Sequence, residues 1–143
     1  MLLKNNLWIG GNMTVPNMYE FMLPLLIFAR EKDGRFAYKW AKNFICNELD
    51  LPKSIQYETY LRGNNIFDTR LGWAAHYLYK AKLLKRIYDG VYSITERGLN
   101  VLEENPKKID REYLMRFREF REYMGQECKR EDNNINQSSL TDF

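Results

Sequence analysis

The side chains that could bind a polyanion are concentrated in one stretch of the sequence. Residues 62–98 hold seven Lys or Arg and three Asp or Glu, whereas the remainder of the chain is close to neutral. Neutralisation of phosphates by such cations supplies much of the affinity of proteins for nucleic acid and makes it salt dependent. The stretch therefore predicts phosphate contacts for Lys80, Lys85 and Arg86, with an ordinary solvated surface as the alternative.

Side chains suited to reading base edges cluster near the start of one predicted helix. Asn65, Thr69 and Arg70 lie there, away from the apolar stripe of that helix, and are predicted to contact bases. Arg suits this role because its guanidinium can bind guanine through two parallel hydrogen bonds. The alternative for Arg70 is an internal ion pair with Asp68 or Glu96.

The predicted DNA-binding set also includes residues with simpler interpretations. Trp73, like the nearby Tyr77 outside the set, is expected to be a core residue rather than a base-stacking group, and His76 is expected to be an ordinary surface residue. The complete predicted set is Asn64, Asn65, Thr69, Arg70, Trp73, His76, Lys80, Lys85, Arg86 and Arg97.

The residues that commonly build metal or catalytic sites are sparse. The chain has one histidine and two cysteines, with no CxxC spacing, so the sequence predicts no metal site and no cofactor. Cys46 lies in an apolar stretch and is expected to be a buried free thiol. Glu127-Cys128-Lys129 resembles part of a nuclease motif, but it lies in a polar tail without an apolar strand. No catalytic residue is predicted.

Apolar spacing and turn residues define the elements that must position these side chains. Helical periodicity predicts five helices, over residues 17–31, 36–49, 67–82, 96–105 and 110–124. Pro24 predicts a kink or an early turn in the first of these. Asp89-Gly90 predicts a β-hairpin between the third and fourth helices.

Helices followed by a hairpin predict a winged helix-turn-helix, in which the helix before the hairpin enters the major groove. The expected fold class is mainly α with a small β-hairpin, followed by a C-terminal helix. The predicted divisions are an extension over 1–12 (with Met13 as a candidate start), a winged helix over 13–106, a C-terminal helix over 107–124 and a disordered polar tail over 125–143.

The last predicted helix offers a different use for the chain. Its apolar stripe could form a homodimer, and the residues of that stripe are Tyr113, Phe117, Phe120 and Met124. Opposite charges four residues apart predict two ion pairs on this helix, Glu112 with Arg116 and Arg118 with Glu122. No apolar run reaches the length of about 20 residues that spans a bilayer, so the cytoplasm is the expected location and no membrane is an expected partner.

Several of these segments together resemble a known family. The runs GNNIFDTRLGWAAHYLYKAKLL and DGVYSITERGLNVLEENPKKID are similar to the groove helix, wing and following helix of Mrr-type restriction endonucleases. The most specific piece is Ile94-Thr95-Glu96-Arg97-Gly98. The resemblance covers residues 13–124 in one continuous order.

The resemblance implies a DNA-binding domain without the metal-dependent PD-(D/E)xK nuclease that follows it in the family. It predicts a non-catalytic module that binds double-stranded DNA, including methylated DNA. A fragment of a split or truncated endonuclease and a protein-interaction module are the alternatives. Gly63-Asn64-Asn65 lacks a cation that the family often has there, and Arg118 replaces a frequent proline, which predicts an unbroken last helix.

Overall fold

The computed structural model describes residues 14–126. The predicted extension over 1–12, the nuclease-like tripeptide at 127–129 and nearly all of the predicted tail lie outside these residues. The described elements, in chain order, are α1 (Met18–Lys32), β1 (Phe36–Ala37), α2 (Lys42–Glu48), α3 (Ile66–Lys80), β2 (Leu84–Tyr88), β3 (Val91–Ile94), α4 (Glu96–Glu103), α5 (Arg111–Leu114) and α6 (helical residues 118–126). Short 3₁₀ helices occupy Tyr38–Ala41 and Lys53–Tyr57.

The first helix forms close to its predicted position. Asn17 caps it, because its side-chain oxygen accepts hydrogen bonds from the backbone amides of Tyr19 and Glu20 at 2.9 and 3.3 Å. Pro24 is buried inside this helix, which nevertheless continues to Lys32. The early turn that Pro24 predicted is therefore absent.

The second predicted helix is wrong over its first half. Phe36 and Ala37 form β1, which pairs with Tyr92 and Val91 of β3, and only Lys42–Glu48 is α-helical. This long-range pairing overrides the local periodicity. Trp40, which that periodicity placed on a buried face, is 62% exposed.

The third helix and the hairpin follow the prediction closely. Asn65 caps α3, whose buried stripe is formed by Phe67, Leu71, Ala74, Ala75 and Leu78. Phe67 packs against Phe21 of α1, with 4.6 Å between the ring centroids. Gly90 turns the hairpin with a φ of +80°, a conformation that glycine adopts without strain. The sheet has three strands in the order β1-β3-β2, so the predicted hairpin gains one short strand.

The Thr95–Gly98 segment joins the hairpin to α4 by close packing. The Thr95 hydroxyl accepts a hydrogen bond from the Gly98 amide at 3.0 Å, which caps the helix. A Cβ atom at Gly98 would lie 2.3 Å from the carbonyl oxygen of Leu83. Glycine at this position therefore allows α4 to lie against the backbone that leads into the hairpin.

The last predicted helix is broken at residues 115–117, which separate α5 from α6. Leu114 and Phe120 are both fully buried. Six residues of straight helix would turn about 240°, which would place these side chains on different faces. The break allows both to reach the core, so the expected unbroken helix is wrong.

The ion pairs of this region also differ from those predicted. Arg116 pairs with Glu104 of the segment after α4, at 3.1 Å, rather than with Glu112. Arg118 and Glu122 do approach each other, at 3.9 Å. The described chain is thus mostly helical, with a small antiparallel sheet and a C-terminal helix, in a winged-helix-like arrangement.

Candidate nucleic-acid interface

An open cleft of about 310 Å³ lies between α3 and the hairpin. Four residues of the predicted DNA-binding set line it, namely Thr69, Trp73, His76 and Arg86. Trp73 is 49% exposed, so the expectation that it is a core residue is wrong. The helix and the hairpin therefore present predicted DNA-binding side chains to one shared space.

Tyr38 bridges the two sides of this cleft. A Cβ atom at Gly72 of α3 would lie 3.2 Å from the Tyr38 hydroxyl oxygen, and one at Gly90 of the hairpin 3.8 Å from its ring. The backbone amide of Tyr38 donates a hydrogen bond to the Gly90 carbonyl at 3.1 Å. The pairing of β1 with β3 brings Tyr38 here, and no local pattern in the sequence indicated it.

The electrostatic surroundings of Tyr38 keep its hydroxyl protonated. Burial raises the pKa of Tyr38, and the nearby carboxylates of Asp68 and Asp89 raise it further. Asp68 forms an ion pair with Lys42, whose ammonium nitrogen lies 2.5 Å from Asp68 Oδ1. The cleft therefore combines aromatic rings with two carboxylates, of which Asp68 is paired with Lys42 and Asp89 lies at the rim beside Arg86.

The two adjacent cations of the hairpin face in different directions. Arg86 lines the cleft beside Tyr92, its partner on β3, and lies 3.6 Å from Asp89. Lys85 is exposed, and successive strand residues point to opposite faces of a sheet. Lys85 therefore faces away from the cleft, and the two predicted phosphate contacts belong to different sides of the hairpin.

The polar groups of Asn65 are engaged in forming the start of α3. Its side-chain oxygen accepts a hydrogen bond from the Asp68 amide at 2.8 Å, and its side-chain nitrogen donates to the Gln56 carbonyl at 2.5 Å. Thr69 donates to the Asn65 carbonyl at 2.8 Å, and Asn64 is exposed in the preceding loop. Asn65 thus acts as a helix cap rather than as a side chain directed at a partner.

Arg70 connects α3 to the segment before α1. Its guanidinium donates to the carbonyl oxygens of Val15 and Pro16, at 2.5 and 3.3 Å, and the side chain is half-buried. The internal alternative therefore describes its position better than the base contact does. Its partners are backbone carbonyls rather than the carboxylates that the alternative named.

Arg97 holds the C-terminal segment against α3 and α4. It donates to the Ala81 carbonyl at 2.9 Å and to both carboxylate oxygens of Glu119, at 2.9 and 3.3 Å. Its guanidinium also stacks over Phe117, 4.9 Å from the ring centroid. These contacts, hereafter the C-terminal clamp, account for Arg97 without DNA.

The C-terminal clamp lowers the pKa of the Glu119 carboxylate. Hydrogen bonds from Arg97 and from the Glu119 backbone lower the pKa of Glu119 to about 2. Lys80 of α3 also contacts the C-terminal segment, because its ammonium lies 5.2 Å from the ring centroid of Tyr123 in α6. His76 also packs near this ring, at 5.6 Å, and against Trp73 at 5.7 Å.

The segment that forms the cleft and the hairpin matches a known protein family. The sequence model of the Mrr N-terminal domain matches residues 19–104, which is more than half of the chain. The chain belongs to the Mrr N-terminal domain family. The matched residues of this domain run from α1 to the end of α4 and include the cleft and the hairpin. No curated protein and no solved structure matches the chain.

Membership of the Mrr N-terminal domain family indicates a component of an Mrr-like restriction system. Between residues 14 and 126, no helix is long and apolar enough to cross a membrane. In the same range, no three His, Cys, Asp or Glu side chains are grouped so that they could hold a metal ion. Cys46 is fully buried, as its apolar surroundings in the sequence predicted.

Proposed function

We propose that this Mrr N-terminal domain binds double-stranded DNA in the cytoplasm as a non-catalytic module of a restriction system. The observation that carries the proposal is the shared cleft, because Thr69 and Trp73 of α3 and Arg86 of the hairpin line the same space. In winged helices the helix before the wing lies in the major groove, and the wing approaches the backbone. This arrangement would allow both elements to contact one duplex.

Each side chain has a distinct role in the proposed complex. Arg86 binds a phosphate at the edge of the groove, and Lys85 binds a second one from the outer face of the hairpin. Thr69 contacts a base edge, and Trp73 offers an apolar surface to the bases. Arg70 and Arg97 are left out of this interface, because backbone carbonyls and Glu119 already occupy their guanidinium groups.

The salt dependence of binding tests this proposal. A fluorescently labelled 30-base-pair duplex is titrated with the protein between 50 and 200 mM KCl. If Arg86 contacts a phosphate, Arg86→Ala lowers the slope of log K against log salt by about one unit. Arg111→Ala is the matched control, since Arg111 is exposed and outside the cleft, and we expect it to leave the slope unchanged.

Methylation is tested in the same titration by comparing otherwise identical methylated and unmodified duplexes. A preference for the methylated duplex would extend the proposal to the modified DNA that the family resemblance implied. Two results would contradict the assignment of the cleft to DNA. One is that the parent protein binds no duplex at any of the salt concentrations, and the other is that Arg86→Ala has the same salt slope as the parent.

The homodimer remains a prediction, but the apolar stripe that it would use is engaged within the chain. Phe120 is fully buried, and Tyr113, Phe117 and Met124 pack against the core. A dimer through this stripe would therefore have to displace intrachain contacts. The non-catalytic role is tested by incubating plasmid DNA with the purified chain and Mg²⁺, where we expect no cleavage and where metal-dependent cleavage would contradict it.

A further inference from the structure

The lining of the cleft does not suit a phosphate group. Asp68 and Asp89 both line it, and the second of these has a side chain that is 99% exposed. Like charges in close contact repel, and Lys42 and Arg86 already lie beside these carboxylates, so a phosphate inside the cleft would have to compete with the carboxylates for these cations. Arg86 at the rim can hold a phosphate outside the cleft, which leaves the interior for a neutral group.

Most of the other side chains that line the cleft are aromatic. Tyr38, Trp73 and Tyr92 line the cleft, and His76 packs edge-on against Trp73 with 87° between the ring planes. Aromatic side chains bind unstacked bases because every base presents a π face. Trp73 has about half of its surface exposed, so an incoming ring can reach it.

We propose that the cleft binds one unstacked nucleobase that carries an exocyclic amine, either adenine or cytosine, and this inference rests on the proposed DNA binding. The volume of about 310 Å³ falls at the small end of the range for small-molecule pockets, as one heterocycle requires. Proteins that bind an extruded base combine such a pocket with polar contacts to the base edge.

The carboxylates select the class of base. Asp89 lies beside Arg86 but is exposed, so its carboxylate oxygens can also accept a hydrogen bond from an exocyclic amine, as Asp and Glu do from cytosine N4 in direct readout. Asp68 is already paired with Lys42, at 2.5 Å. The Tyr38 hydroxyl, which its surroundings keep protonated, can donate to a ring nitrogen. Thymine has no exocyclic amine and would not offer the Asp89 carboxylate this hydrogen bond.

Bulged duplexes test the inference, because a bulged base leaves the stack at little cost. Four 30-base-pair duplexes share the same flanks and differ only at the centre, which is fully paired or carries a bulged adenine, thymine or abasic nucleotide. The abasic bulge reproduces the distorted backbone without a base. We expect the adenine bulge to bind about tenfold more tightly than the abasic one, as stacking of one base allows. The thymine bulge should lie between them.

Two variants assign the preference to the cleft. Trp73→Ala should bring the affinities for the adenine and abasic bulges together, whereas Trp40→Ala is the matched control and should keep them apart. Trp40 is more exposed than Trp73 and does not line the cleft. Asp89→Ala removes the acceptor and should reduce the difference between adenine and thymine.

The outcomes separate this inference from the proposed function. Binding to the paired duplex with equal affinity for the adenine and abasic bulges overturns the base site and leaves DNA binding intact. A preference that Trp73→Ala retains also overturns the site, since the base would then bind elsewhere. Failure to bind any of the four duplexes at low salt contradicts both proposals.

Discussion

Arginine plays opposite parts in the cleft and in the C-terminal clamp. Arg97 of the clamp makes three hydrogen bonds, stacks over Phe117 and lies beside Glu119. Arg86 of the cleft has one exposed carboxylate neighbour, Asp89, at 3.6 Å. The difference shows that a count of cations describes where charge is concentrated, but not which charges are available to a partner.

Arg70 of α3 resembles Arg97 rather than Arg86, because its guanidinium is also engaged within the protein. It binds the carbonyls of Val15 and Pro16 and so fixes the approach to α1. Its position near the start of α3 was an argument for base contact, yet its partners Val15 and Pro16 lie 55 and 54 residues away in the sequence. The two kinds of arginine should therefore respond differently to substitution.

The joint between the hairpin and α4 should be the most sensitive point of the fold. Gly98→Ala would place a methyl group against the Leu83 carbonyl, and backbone cannot move aside as a flexible side chain can. We expect a loss of unfolding free energy of about 3 kcal/mol, at the upper end of the usual cost of overpacking. Urea denaturation followed by circular dichroism measures it. A loss within the range of an ordinary surface substitution would contradict the observed packing.

Removal of the clamp arginine should have the next largest effect. Arg97→Ala leaves Glu119 and the Ala81 carbonyl without their donor, and hydrogen bonds to charged groups contribute about 1.5–3 kcal/mol each in favourable cases. Partial exposure of both side chains reduces this, so we expect a loss of about 2 kcal/mol. The salt slope for DNA should not change at a temperature where the variant is folded. A reduced slope would place Arg97 in the DNA interface.

Arg70→Ala should destabilise the fold less than Arg97→Ala does. It removes hydrogen bonds to two carbonyls at a half-buried position, for which we expect a loss of about 1 kcal/mol. Thermal unfolding without DNA measures the effect, and Arg111→Ala serves as the exposed control. If Arg70→Ala has the same melting temperature as the parent protein but binds DNA more weakly, Arg70 belongs to the DNA interface.

Because Glu119 is partly exposed, solvent screening weakens its ion pair, and the pH dependence of the clamp should be the smallest effect. The pKa of Glu119 is lowered from 4.5 to about 2, so the folded protein holds this proton less tightly than the unfolded chain. Its contribution to stability is therefore present above pH 4.5 and is lost as the pH falls toward 2. Comparison of unfolding free energies of the parent and Glu119→Gln across this range should show the difference between them shrinking as the pH falls. A constant difference would contradict the ionised pair.

Local patterns in the sequence predicted most of the fold. Asn17, Asn65 and Thr95 cap helices near the positions that apolar spacing indicated, and Asp89-Gly90 turns the hairpin. The two failures have long-range causes. Phe36 pairs with β3, and the chain breaks after Leu114 so that Phe120 can also be buried.

The candidate site was less predictable for the same reason. Thr69 and Arg86 could be identified, because a helix face and a strand of a hairpin are local features. Tyr38 could not, since only the pairing of β1 with β3 brings it to the cleft. The engagement of Arg97 was equally hidden, because Glu119 lies 22 residues further along the chain.

Photo-cross-linking to DNA tests the division between cleft and clamp most directly. A 30-base-pair duplex containing 5-iododeoxyuridine is irradiated with the full chain, and the cross-linked peptides are identified by mass spectrometry. We predict cross-links to the exposed face of α3, above all to Trp73, and to the hairpin residues near Tyr88, both of which are exposed aromatic side chains. Cross-links confined to the Arg111–Phe120 region, with none on α3 or the hairpin, would contradict the assignment of the cleft to DNA.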